Sequence, residues 1–234
     1  MKKILMIIPA YNEEKNILDT VNMINNYKDL KLDYVVINDG SIDNTLNVLK
    51  NNNIDYINLS NNLGIGAAVQ TGYKYAHLND YDIAIQFDGD GQHDINYVYK
   101  LVKEIEKGSD LVIGSRFSDK KSDFLSTRSR RLGIKIISFF IKLFSKKKIL
   151  DVTSGYRASN KKVIEYFSKH YPFDYPEPIT NLELLKKGYK ISEVAVNMRE
   201  RKYGKSSINL KKSIGYMINV VISLFVTNFS RKEK

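Results

Sequence analysis

DIAIQFDGDGQHD, residues 82–94, decides how this chain is read. Residues 82–87 are an apolar run with the length and β-branched content of a buried strand. The run ends in Asp88 and Asp90, one glycine apart, followed by Gln92 and His93. Carboxylates just past the carboxyl end of a strand stand where open α/β sheets bind their ligands. Hard carboxylate oxygens suit Mg²⁺ or Mn²⁺, and Mg²⁺ is commonly held by one or two of them together with substrate phosphates. An ordinary Asp-Gly turn is the plainer alternative, so the neighbouring strands have to decide.

Four more strands are expected, at 3–8 (KILMII), 33–38 (DYVVIN), 54–59 (IDYINL) and 110–115 (DLVIGS), with helices over 13–27, 43–51, 64–77 and 95–107. This alternation predicts an α/β fold: a mostly parallel central sheet with helices on both faces. Beyond the strand ends stand Pro9, Tyr11 and Glu13, then Asn38 and Asp39, then Asp88 and Asp90, then Gly114, Ser115 and Arg116. Four strand ends thus converge on one acid-bearing rim. The opening MKKILMIIPA runs straight into charged residues, too short for a secretory core, and reads as a buried first strand.

Charge is unevenly distributed. Residues 1–115 carry 10 basic and 16 acidic side chains, residues 116–148 carry 11 and 2, and residues 197–234 carry 9 and 2. The second half therefore suits an anionic partner. Nucleic acid is not that partner: no nucleic-acid-binding motif is present, and the rim is acidic. With no cysteine, disulfides, thiolate metal sites and a cysteine nucleophile are excluded. Three separated histidines do not make a zinc site. A phosphate-cradling G-x-x-x-x-G-K-[ST] is absent, and the glycines at 64 and 66 do not complete G-x-G-x-x-G after the first strand.

Residues 132–144, LGIKIISFFIKLF, place Lys135, Ser138 and Lys142 on one narrow face with apolar residues elsewhere, between Arg128, Arg130, Arg131 and Lys146–Lys148. Thirteen residues cannot cross a bilayer, so an amphipathic helix in the headgroup region is expected. A core helix under the sheet is the alternative. Residues 213–230 are uncharged, but Asn219, Ser223 and Thr227 recur every four residues, predicting a second membrane-surface or partner-binding helix.

Taken together, IPAYNEE (8–14), INDGSIDNT (37–45), NLGIGAAVQTGYKYA (62–76), QFDGDGQHD (86–94), GSR (114–116), DVTSGYRASN (151–160) and RERKYGKSSI (199–208) resemble a family 2 glycosyltransferase. The likeness is closest to the branch of dolichyl- and polyprenyl-phosphate sugar transferases, and it spans nearly the whole chain. It implies the GT-A fold and a catalytic domain over 1–208, with a nucleotide-sugar half at 1–115 and an acceptor half at 116–208. Residues 209–234 would form a C-terminal amphipathic helix. It further implies inversion at the anomeric carbon, with Mg²⁺ or Mn²⁺ as cofactor. Pro9, Tyr11, Glu13, Asp39, Gly66 and Asp88 would bind the UDP- or GDP-hexose, and Asp88, Asp90 and Gln92 would hold the metal. Asn38 stands where the family usually has a second aspartate.

Arginine's fork suits phosphate. Arg116, Arg128, Arg130 and Arg131, with Arg157, Arg201 and Ser206, are therefore expected at an acceptor phosphate. Ser207 replaces a lysine that often follows that serine in this branch. A phosphate monoester is already largely dianionic at neutral pH and can attack without a strong base, whereas a sugar hydroxyl needs one. Asp151, Asp174 and Glu177 are the candidate bases, and Asp90, Arg116, Asp151 and Glu177 the expected catalytic set. The expected enzyme is peripheral on the cytoplasmic face of a membrane, held there by its own helices, an integral-membrane partner or a second copy. Its acceptor is polyprenyl phosphate, or alternatively a growing surface polysaccharide or lipid-linked oligosaccharide.

Overall fold

A computed structural model describes residues 2–118, 128–199 and 210–230, with side chains in the last two segments from Arg131 and Gly215 onward. Strand β1 (Ile4–Ala10) is buried along its whole length. It pairs in parallel with β2 (Asp33–Asn38) on one side and β4 (Ile83–Gln86) on the other. Beyond β2 lies the short edge strand β3 (Tyr56–Asn58). On the other flank, β6 (Arg157–Asn160) enters antiparallel between β4 and β5 (Leu111–Ser115), and β7 (Ile191–Ala195) closes the far edge. The order is β3-β2-β1-β4-β6-β5-β7. Two antiparallel steps leave β5 parallel to β4, so the carboxyl ends of β1, β2, β4 and β5 still share one edge, and the start of β6 joins them.

Helices α1 (Ile17–Asn25), α2 (Thr45–Asn51) and α4 (Val98–Glu106) belong to one face. There Ile17, Val21, Leu49, Leu101 and Val102 close over Met6, Ile8 and Ile85. The opposite face takes α3 (Ile65–Leu78), α5 (Arg128–Ser145), α6 (Lys161–Lys169), α7 (Pro176–Lys186) and α8 (Leu210–Phe229). Its core joins Leu5, Ile7 and Ala84 to Val69, Tyr73, Phe167 and Leu182. Alternation along the strands divides them between these two cores, the arrangement expected for a sheet covered on both sides.

The two helices expected at a membrane surface sit in this second layer. Ile134, Ile137 and Ile141 of α5, with Val220 and Leu224 of α8, are buried in its core. Phe225 of α8 packs edge-on against Phe140 and Phe144 of α5, at 5.4 and 5.0 Å. The core-helix alternative for 132–144 thus describes one side of α5. The other side carries Leu132, Phe139 and Leu143, while α8 turns out Ile218, Ile222, Val226 and Phe229, each more than half exposed. Lys135 and Lys142 flank this stripe on α5. Of the expected polar stripe, Ser223 and Thr227 are half-buried and Asn219 is exposed but bonded to the Tyr175 hydroxyl, so the side bearing Ile218, Ile222, Val226 and Phe229 is mainly apolar. Among the described residues, no helix is long and apolar enough to cross a membrane.

Candidate active site

The loops after β1 and β2 interlock through side chains their sequences supply. Asn12 adopts φ +57°, a conformation asparagine tolerates better than most residues. Its backbone N–H donates to Ser41 Oγ at 2.9 Å, and its Oδ1 accepts from the Ile42 N–H at 2.9 Å. The Glu13 N–H donates to Thr45 Oγ1, also at 2.9 Å. Asn38, the departure from the family pattern, donates from Nδ2 to Asn58 Oδ1 at 2.6 Å and accepts from Ser41 Oγ at 2.5 Å. Its amide thus fills both a donor and an acceptor role, and a carboxylate has no donor to offer.

Asp39 is 3% exposed and is held by backbone donors: Leu63 N–H to Oδ1 at 2.8 Å and Gly64 N–H to Oδ2 at 2.9 Å. Pro9, Tyr11, Glu13, Asp39, Asp88 and Asp90 line a cavity of about 270 Å³, closed on one side by Gly64, Ile65 and Ala68 at the start of α3. Gly66, expected beside the donor, instead lets α3 approach the 172–173 backbone. A Cβ there would come within 2.6 Å of Phe173 Cα, and nearer still to the carbonyl oxygens of Pro172 and Phe173. Overpacking of this kind costs about 1–3 kcal/mol, of which alanine's better helix propensity returns about 1 kcal/mol. Gly66→Ala is therefore expected to lower Tm by a few degrees, at about 2–4 °C per kcal/mol for a chain of this size. An unchanged melting curve would show that the 172–173 segment yields freely.

Asp88 and Asp90 are both half-buried and differently supported. The Asp88 N–H donates to His93 Nδ1 at 3.0 Å, which places the ring proton on Nε2, 3.6 Å from Asp88 Oδ2. His93 is 2% exposed and stacked on Tyr156 at 4.5 Å, so it shapes the loop rather than facing the cavity. Asp90 Oδ1 accepts the Gln92 N–H at 3.0 Å. The Gln92 side chain, expected at the metal, donates from Nε2 to the Arg199 carbonyl at 3.4 Å. The Arg199 N–H returns a bond to Gln92 O at 2.8 Å. The segment that opens RERKYGKSSI is thereby tied to the acidic loop. Among the described residues no three His, Cys, Asp or Glu side chains form a metal-holding group; Asp88 and Asp90 are a pair.

Arg116 is 5% exposed and Asp151 0%. Asp151 Oδ2 accepts Arg116 Nε at 2.7 Å and its backbone N–H at 3.0 Å, and Oδ1 accepts Nη2 at 2.7 Å. The loop bearing Asp151 is held in turn by Glu193 of β7, which accepts from the Leu150 and Asp151 N–H groups, each at 2.8 Å. Asp151 therefore serves as the anchor of Arg116 and has no exposed oxygen to act as a base. Arg157, expected at the acceptor phosphate, is 1% exposed, with Nε on Ser154 O at 2.7 Å and Nη1 on Thr180 Oγ1 at 2.9 Å. Burial as the first strand residue of β6 removes it from the surface. Arg131 is exposed on α5. Arg128 and Arg130 lie on the same helix, their side chains outside the described residues, as are Arg201 and Ser206 entirely.

Glu177 is the second residue of α7, whose N-cap Tyr175 is held at φ +51°. Tyr216 of α8 meets the Tyr175 ring edge-on at 4.8 Å, and Asn219 Nδ2 donates to its hydroxyl at 3.0 Å. Burial pushes the Glu177 carboxyl above its ordinary range; Arg157 pulls it back and Asp88 pushes it up again. Its electrostatic neighbours thus include residues on both sides of the rim. Asp174 is exposed. Sequence reasoning missed β6, α7 and β7, which carry Arg157 beneath the rim and Glu177 and Glu193 to the loops around it.

The family profile described as Glycosyl transferase family 2 matches residues 6–167. A UDP-N-acetylglucosamine–dolichyl-phosphate N-acetylglucosaminyltransferase of Methanococcus voltae is 32% identical over 186 residues, 72% of this chain and 73% of that protein. The polyprenol monophosphomannose synthase of Mycolicibacterium smegmatis is 26% identical, across 89% of this chain and 82% of its own. In structure, glucosyl-3-phosphoglycerate synthase from Mycobacterium tuberculosis, solved with Mn²⁺, UDP and phosphoglyceric acid, superposes with a TM-score of 0.72. It is 18% identical, and the match covers 99% of this chain and 80% of that one.

Proposed function

This chain belongs to glycosyl transferase family 2, has the GT-A fold and is a glycosyltransferase, and on that premise we propose that it moves a hexose from a UDP- or GDP-sugar to a polyprenyl phosphate at the cytoplasmic face of a membrane. One observation carries the acceptor assignment: the body that holds the acidic cavity also exposes the apolar faces of α5 and α8, with Lys135 and Lys142 beside that of α5. The names of the Methanococcus and Mycolicibacterium relatives, which include dolichyl phosphate and polyprenol, support the same reading.

On the donor side, Asp39 is fixed by two backbone N–H groups and accepts from the base, with Pro9, Tyr11 and Glu13 beside it. Two carboxylates lining one cavity are the donor set that Mg²⁺ or Mn²⁺ takes up alongside phosphate oxygens, so Asp88 and Asp90 fit such a cation. When bound, it supplies Lewis-acid neutralisation of the leaving nucleoside diphosphate. Arg116 has its charge balanced by the buried Asp151 carboxylate, so its task at the end of β5 is to hold the rim loops in place. A phosphate acceptor reaches the rim already ionised. Glu177 then has an electrostatic and orienting task, and its raised affinity for a proton would matter only for a hydroxyl acceptor.

The test is transfer of radiolabelled sugar to membranes from UDP-glucose, UDP-galactose, UDP-GlcNAc and GDP-mannose in turn, with and without EDTA. The expected product is chloroform-soluble and is lost in EDTA. Label found only in a water-soluble polymer would overturn the lipid acceptor and favour a growing polysaccharide.

A further inference from the structure

Gln86 is the last residue of β4, 1% exposed, and faces the same core as α3 and α7. A buried amide is costly unless its polar atoms are matched. Its Nε2 donates to Asp88 Oδ1 at 3.1 Å, and its Oε1 has no partner among the described residues. Directly opposite in the antiparallel ladder is Arg157, whose Nη2 is likewise buried without a partner among the described residues. Two other nitrogens of that guanidinium are tied to Ser154 O and Thr180 Oγ1, so the positive charge cannot swing away. The turn between Asp151 and β6 closes over the pair. A Cβ on Gly155 would lie 2.8 Å from Gln86 Nε2 and 3.1 Å from Asp88 Oδ2.

These positions leave one choice of amide orientation. With Nε2 on the Asp88 carboxylate, the amide dipole lies between an anion on its own strand and a cation on the next. The reverse orientation would set oxygen against oxygen. A lysine or arginine at this position would also hold Asp88, but it would cancel the carboxylate's charge. A glutamine holds it and leaves the charge intact. We infer that Gln86 is a positioning residue: it aims the Asp88 carboxylate at a divalent cation, with its own orientation favoured by the Arg157 charge opposite it in the ladder and its space kept open by Gly155. The inference rests on the reading that Asp88 holds the cation.

Mn²⁺ titration by electron paramagnetic resonance, with saturating UDP or GDP present, tests this on the whole chain without any turnover. Gln86→Met keeps the length and loses the donor. Its Kd for Mn²⁺ is expected to rise on the order of tenfold or more, the usual consequence of removing a partner that orients a metal ligand. Nucleotide binding in EDTA and the melting temperature should stay near wild type. Gln86→His, which restores an N–H donor, is expected to recover much of the loss, a result that a merely space-filling role would not give. Should Gln86→Met fail to fold, Gln86→Leu, which also lacks the donor, is titrated in its place. Asp88→Asn is titrated alongside. If it weakens Mn²⁺ and Gln86→Met does not, the positioning role is overturned while the cation site stands. If Asp88→Asn also binds Mn²⁺ normally, the cation reading falls and this inference with it.

Discussion

Asp90→Ala is expected to fold and to lose transfer, with kcat/KM down roughly a thousandfold, or about 4 kcal/mol of barrier. The size follows from what the side chain faces. Asp90 lines the cavity, and the bond that its Oδ1 accepts from the Gln92 N–H lies within its own turn. Losing a local contact of that kind costs about 1 kcal/mol, and the buried strands on either side do not depend on it. A diphosphate left without its counter-charge is, by contrast, a poor leaving group in every turnover. Steady-state transfer and a thermal melt, measured on the same preparation, separate the two effects. Near-wild-type activity at full stability would mean that Asp90 faces no catalytic charge. A collapse of Tm would mean that the acidic turn is a folding element instead. Asp88→Ala is the less clean variant, because Asp88 is also engaged by Gln86 and His93.

What was legible in the chain follows from where apolar periodicity and function coincide. β2 is found at the expected 33–38, and β1, β4 and β5 lie within two residues of expectation, because each is a short β-branched run buried on both faces. The acidic rim was readable for the same reason: polar residues at the ends of such runs stand out. β6 was not readable. Its four residues, RASN, turn Arg157 and Ser159 into the core, so the inward face is polar and no hydrophobic pattern marks it. α7 begins with two prolines and is buried along most of its length, which removes both the helix signal and the stripe. α6 was within reach, since Val163, Ile164 and Phe167 carry helical spacing and Asn160 Oδ1 caps the Val163 N–H. The arginines show the limit of reasoning from residue type. Arg116 and Arg157 look like phosphate ligands in sequence, yet one is locked to Asp151 and the other lies beneath the rim.

The second large effect is expected at the surface of α5 and α8. Phe139→Asp combined with Ile222→Asp should abolish sedimentation with vesicles of phosphatidylglycerol and phosphatidylcholine while leaving the melt and soluble nucleotide binding unchanged. Both side chains are more than half exposed, so neither substitution opens a cavity or strands a charge in the core. Burying a large apolar side chain is worth about 1.5–3 kcal/mol, and a carboxylate in its place also repels anionic lipid. Together the two changes should lower the membrane partition coefficient by at least about a hundredfold. Lys135 and Lys142 add about 1 kcal/mol each through lipid charge. High salt should therefore weaken wild-type binding without eliminating it, because the apolar contribution is not screened. The geometry of α8 makes the expectation specific. Its inward side holds Val220 and Leu224, Lys186 Nζ caps the Asn228 carbonyl at its end, and only the outward side is left without protein cover among the described residues. A chain that sediments with vesicles as before despite both aspartates would remove the membrane role of this face. A wild-type chain that covers the face by self-association, seen as a concentration-dependent dimer that the same two substitutions dissolve, would assign it to a second copy instead.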